Sequence, residues 1–106
     1  MDVQRGEQRY RAYAKVKCQK YGSGYGALMI LKNISKSGAR LNLITAASQF
    51  FKGDLLRLIV ELEGVKRNHI VNAEVVWSKE GALGVSFLTP DNFMIKNLTR
   101  NGPSPE

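Results

Sequence analysis

Residues 69–88 read "HIVNAEVVWSKEGALGVSFL". Val71, Ala73, Val75 and Trp77 recur at every second position, so they fall on one face of an extended strand. "KEGA" (79–82) interrupts the alternation with a glycine and two charges, as a turn does. "LGVSFL" (83–88) then resumes it. Two alternating runs joined by a short polar turn predict an antiparallel hairpin whose inner face is apolar.

The same pattern extends toward the N-terminus. "GVKRN" (64–68) reads as a hairpin loop, and "DLLRLIVELE" (54–63) sets Leu56, Leu58, Val60 and Leu62 on one face. "ARLNL" (39–43) aligns Ala39, Leu41 and Leu43, and "ALMILKNI" (27–34) is a further apolar strand. Before it, "YGSGYG" (21–26) is a glycine-rich loop. Ala12, Ala14, Val16 and Cys18 form the inner face of a first strand. "ITAASQFFKG" (44–53) has no clear period and is compatible with a short helical turn. Six strands with short polar connections predict an all-β barrel or sandwich with antiparallel neighbours. Closure into a barrel removes the exposed edges that six short strands would otherwise leave. Beyond Phe87 the period changes. Thr89 suits an N-cap, Pro90 a first helical position, and Met94, Ile95 and Leu98 a helical stripe. A short C-terminal helix is expected over roughly 90–100, packed on the barrel. "NGPSPE" (101–106) reads as a frayed tail.

With 106 residues the chain holds one small domain, and 43% hydrophobic residues supply a single core. No run is apolar enough to insert in a membrane, and "MDVQRGEQ" has no signal core. The lone Cys18 allows no internal disulfide, which fits a reducing cytoplasm. The net charge is +7, and Arg5, Arg9, Arg11, Lys15, Lys17 and Lys20 concentrate it in the first twenty residues. Such a surface favours an anionic partner: nucleic acid, anionic lipid or a phosphorylated small molecule.

Catalytic equipment is sparse. His69 is the only histidine and reads as a surface or hairpin residue. Cys18 lies on an apolar face, as a core cysteine does. One His and one Cys cannot form a zinc cluster of structural type, and the carboxylates are scattered singly. "YGSGYG" lacks the Lys-Ser/Thr of a phosphate-binding loop. No catalytic residue, metal site or cofactor is expected. Two stretches remain. One is Arg5-x-x-x-Arg9 in "QRGEQRYR" (4–11), and the other is Asn33-x-Ser35-x-x-Gly38 in "NISKSG" (33–38). Taken separately, the first reads as a solvated end and the second as a turn with local capping and a left-handed glycine.

In this order, and followed by "ARLNL" and "AEVVWSKEGALGVSFL", the two motifs resemble the PilZ domain, a bacterial receptor module for cyclic di-GMP. The resemblance runs from Arg5 to about Leu98. It implies a six-stranded antiparallel β-barrel with a C-terminal helix, in agreement with the strand count. It also implies that Arg5 and Arg9 lie on a flexible segment, residues 1–11, that closes over the ligand against a barrel of residues 12–100. Asn33 and Ser35 would address a guanine edge, and Gly38 would allow close approach. An arginine fork matches both phosphate and the O6/N7 pair of guanine, which lysine cannot do. Gln4, Arg11, Arg40 and Trp77 are candidate further contacts, although the alternation sets Trp77 on the core face. Gln4 stands where many members carry arginine, which leaves ligand stoichiometry open. Asn33 stands where aspartate is commoner, and an amide offers a donor pair beside one acceptor.

The expected function is a stand-alone, non-enzymatic cyclic di-GMP receptor. Binding would order the arginine segment, and the signal would pass to an unidentified partner protein. Two rivals use the same residues differently. One is a basic small barrel that binds nucleic acid, disfavoured because the outward positions show no row of aromatics for base stacking. The other is a barrel of this fold that acts through protein contacts alone; members of that kind usually lack the two motifs.

Overall fold

The computed structural model describes residues 8–23, 26–44, 50–62 and 67–90. They form six strands: β1 Tyr10–Lys20, β2 Gly26–Ile34, β3 Gly38–Leu43, β4 Leu55–Leu62, β5 Arg67–Lys79 and β6 Ala82–Phe87. All six pair antiparallel into a closed barrel in the order β1-β2-β3-β6-β5-β4. The hairpin expected over 69–88 is β5–β6, turned at Gly81, whose φ of 77° lies where glycine is favoured. The C-terminal helix expected over 90–100, the tail, and most of the ambiguous stretch 44–53 lie outside the described residues, as do Gln4 and Arg5. Among the described residues, no helix is long and apolar enough to cross a membrane.

The period-two residues make the core. Val16 and Cys18 of β1, Met29 and Leu31 of β2, Leu41 of β3, Leu56, Leu58 and Val60 of β4, Val75 of β5 and Leu83 of β6 are all buried. Alternation predicts this because one face of each strand lines a space too narrow for water. Ten inward side chains of this size, each burying a side chain worth about 1.5–3 kcal/mol, account for the barrel's cohesion. Two expectations are corrected. β1 begins at Tyr10, so Arg11, read as the end of the N-terminal segment, is the second residue of a strand. Trp77, read as core, is 36% exposed. The β5–β6 register shifts between Val75 and Trp77, and Val76 is also exposed. Val76, Trp77 and Ser78 are all exposed beyond the shift, so the inward alternation of β5 ends at Val75 and Trp77 lies outside the core.

β5 is long because it serves two neighbours. Its first part pairs with β4 from Arg67 to Glu74, and its second part with β6 from Ala73 to Lys79. The segment before β4 is held at both ends. Gly53 N–H donates to the Val75 carbonyl at 2.8 Å, and Val75 N–H to the Asp54 carbonyl at 2.9 Å. Asp54 Oδ2 accepts from the Phe51 N–H at 2.8 Å and pairs with Lys20 Nζ at 3.0 Å. The Phe51 N–H holds the Asp54 carboxyl below its usual range; partial burial opposes this and Lys20 adds to it.

β1–β2–β3 and β4–β5–β6 meet at two seams, β1–β4 and β3–β6, and in the second Gly38 lies opposite Ser86. Gly38 does not have a left-handed φ; its glycine is demanded by space. A Cβ there would overlap the carbonyl oxygen of Val85 on β6. The obstacle is backbone, which cannot swing aside. Gly38→Ala should therefore destabilise the barrel by about 1–3 kcal/mol, the cost of overpacking. That corresponds to a fall in Tm on the order of 10 °C for a domain of this size. A melt of Gly38→Ala indistinguishable from the parent would show that the β3–β6 contact is not close in solution.

Candidate functional site

Strand register assembles a row of residues that lie far apart in sequence. Arg11 on β1 pairs with Asn33 on β2, Asn33 with Arg40 on β3, Arg40 with Gly84 on β6, and Gly84 with Trp77 on β5. Adjacent strands lie about 4.8 Å apart, so these four steps run roughly 19 Å around the wall. Arg11 and Arg40 are exposed. The row carries cations and an indole and no carboxylate.

Arg9 comes over this row from just before β1. Its Nη1 donates to Asn33 Oδ1 at 3.0 Å, joining the two sequence motifs across 24 residues. Asn33 is only 5% exposed, and a buried amide needs such a partner. Ser35 is fully buried and stabilises its own turn. Its N–H donates to the Gly38 carbonyl at 2.9 Å, and its Oγ accepts from the Ser37 N–H at 3.3 Å. The Ser37 carbonyl in turn accepts from the Phe87 N–H at 2.7 Å, which stitches the turn to β6. Ser35 and Gly38 thus form the frame of the turn, while Arg9 and Asn33 lie beside the arginine row.

At the far end, the Trp77 indole lies across Gly84. A Cβ at Gly84 would fall within the ring, so the glycine is the seat of the indole. The Arg40 guanidinium stands 5.9 Å from the ring centroid, within cation–π range. The sequence reading missed this seat. Its signal was a bulky aromatic and a glycine placed symmetrically about the "KEGA" turn. Guanidinium groups flanking an indole can bind phosphate by paired hydrogen bonds and can stack on a planar base.

Burial pushes the Cys18 thiol up to about 12, so it stays protonated at neutral pH. Among the described residues, no three His, Cys, Asp or Glu side chains gather as metal ligands.

Residues 4–100 match the family model of the PilZ domain. No curated protein is significantly similar in sequence. Several solved structures share the fold. The PilZ domain of CeSA from a cellulose-synthesizing bacterium is 17% identical, with a TM-score of 0.64 over 81% of this chain and 84% of that one. The PilZ domain of YcgR from Escherichia coli, solved with c-di-GMP, is 16% identical, with a TM-score of 0.68 over 92% and 87%. The Bacillus subtilis inhibitor of motility, MotI/DgrA, is 22% identical, with a TM-score of 0.65; 87% of this chain spans 45% of it.

Because the indole is a movable side chain, Gly84→Ala should cost less stability than Gly38→Ala while displacing the ring from β6. Trp77 is the only tryptophan, so intrinsic fluorescence reports its position directly. An altered emission maximum with a Tm lowered by less than about 1 kcal/mol equivalent is expected. Unchanged emission would mean that the ring does not rest on Gly84.

Proposed function

The chain belongs to the PilZ domain family, a family of cyclic di-GMP receptors, and from that premise we propose that it is itself a cytoplasmic, non-enzymatic receptor for cyclic di-GMP. The observation that carries this reading is the Arg9–Asn33 hydrogen bond. It joins the two motifs of the family pattern beside a row that holds Arg11, Arg40 and Trp77. Arg5 and Arg9 grip the phosphates and a guanine edge. Asn33 meets a guanine edge, with Ser35 and Gly38 maintaining the turn beside it. Gln4, Arg11, Arg40 and Trp77 are further contacts. Asn33 is covered by Arg9, so the ligand must share or displace that guanidinium as it enters. Binding orders residues 1–9 over the ligand and turns a basic end into a fixed, partly neutralised face. The chain passes this change to a partner protein.

Titration calorimetry tests the reading. Cyclic di-GMP should bind well, and GTP or a short oligonucleotide poorly. Arg5→Ala and Arg9→Ala should each weaken binding roughly 10- to 150-fold, the range for a hydrogen bond to a charged group of about 1.5–3 kcal/mol. Arg5→Lys should recover only part, because the planar fork is lost. Equal heats for GTP and cyclic di-GMP, or parent-like binding by both alanine variants, would refute the assignment.

Hydrogen exchange tests the ordering step separately. Amides of residues 4–8 should gain protection on saturation with cyclic di-GMP. If they are as strongly protected in the free protein, the segment is already built into the fold and the signal must arise elsewhere.

A further inference from the structure

The β5–β6 hairpin does more than seat Trp77. Its outer end, beyond the Trp77–Gly84 pair, borders a cavity of about 610 Å³ at the far end of β3 from the Asn33–Gly38 turn. Leu43, Phe50 and Leu83 form its apolar floor. Ile44 and Phe51, 54% and 60% exposed, form an apolar rim. Lys52 and Lys79 stand on that rim with Glu80. Phe51 is not a stray aromatic: Asp54 holds its N–H, and Lys20 Nζ lies 5.5 Å from its ring centroid.

We propose that this pocket docks a segment of a partner protein that presents large apolar side chains flanked by carboxylates. The size is within the ~300–1,000 Å³ of ordinary binding pockets, and the floor is hydrophobic. The rim separates a protein segment from a small molecule. Enclosed sites cover ~70–90% of a small ligand, whereas here two large rim residues stay more than half exposed until something broader covers them. The charge follows from Lys52 and Lys79 against the single Glu80. The inference deepens the partner half of the proposed function and rests on it. It also supplies a route, since the ligand row and the pocket share one hairpin. Trp77 and Gly84 face the row, and Ser78, Lys79 and Leu83 follow or precede them directly at the pocket.

The test uses the full chain and three synthetic hexapeptides: Asp-Glu-Phe-Leu-Asp-Glu, Lys-Lys-Phe-Leu-Lys-Lys and Asp-Glu-Ser-Ser-Asp-Glu. Amide NMR shifts are followed on titration, and decanoate serves as a small apolar anion. The first peptide should move the amides of Leu43, Ile44, Phe51 and residues 79–83 saturably, and the other two should not. Phe51→Ser and Lys79→Glu should each lower its affinity roughly tenfold, as loss of an anchor or of a complementary charge does. Both variants should keep cyclic di-GMP affinity within about twofold, since neither belongs to the arginine row. Equal response to the serine peptide would reduce the site to bulk charge attraction and overturn the proposal. So would a response to decanoate with none to the first peptide. Binding of the first peptide by a parent that ignores cyclic di-GMP would support the pocket while refuting the receptor assignment.

Discussion

Closure of the barrel between β3 and β6 depends on a missing side chain. At Gly38 the Val85 carbonyl occupies the space where a Cβ would stand. From that contact the β3–β6 register follows residue by residue, with Ala39 opposite Val85, Arg40 opposite Gly84 and Leu41 opposite Leu83. Arg40 therefore meets Gly84 because Gly38 meets Ser86 two positions earlier. The turn before β3 is secured to the same place by the Phe87 N–H on the Ser37 carbonyl. A side chain at position 38 would disturb the core and the arginine row through one displacement, because strand register is transmitted along the whole ladder.

The strands were legible because their inner residues repeat at period two, and burial follows that repeat through Leu56, Leu58, Val60 and Leu62 without exception. Trp77 was illegible for a specific reason. A bulge inserts one residue without any glycine or proline to announce it, and past Val75 the alternation of β5 stops, with Val76 to Lys79 all exposed. The two motifs were legible as residue types, but their junction was not. Arg9 and Asn33 are brought together by the β1–β2 register, itself shifted between Arg11 and Ala14. Gly38 was read as room for a ligand to approach the backbone, whereas the close approach the structure shows is that of the Val85 carbonyl, on a strand nearly fifty residues away in the chain. Long-range close approach leaves no periodic trace in a single sequence.

Asparagine at position 33 has an electrostatic consequence. A carboxylate in its place would form an ion pair with Arg9 in a part-buried setting and cancel the charge locally. The amide offers Arg9 a neutral acceptor in place of a charged one. Arg11 and Arg40 lie on the two strands flanking β2 at the same level, so both add positive charge to the wall around Asn33. At position 33 a neutral hydrogen-bonding group thus stands against Arg9, where aspartate would add a negative charge to the wall.

The same economy of elements links the wall to the opposite end of the barrel. In β5 the bulge at Val76 separates a portion whose inner residues are core from a portion whose side chains face solvent. The exposed part, Val76–Lys79, is held by β6 across only the short ladder from Trp77–Gly84 to Lys79–Ala82, with a glycine turn beyond. The exposed β5 half has less to lose by shifting than the β4–β5 ladder, which is backed by Leu56, Leu58 and Val60, whereas the β6 half is buried and paired to β3. Pressure on the indole can be accommodated only outward or along that hairpin, because Gly84 and the β6 backbone lie directly beneath the ring. The Leu43 N–H bond to the Gly81 carbonyl ties the hairpin turn back to β3, so movement there is also movement of the pocket wall. The arginine row and the far pocket are thus joined by two elements, the β5–β6 hairpin through Trp77 and Leu83 and β3 through Arg40 and Leu43.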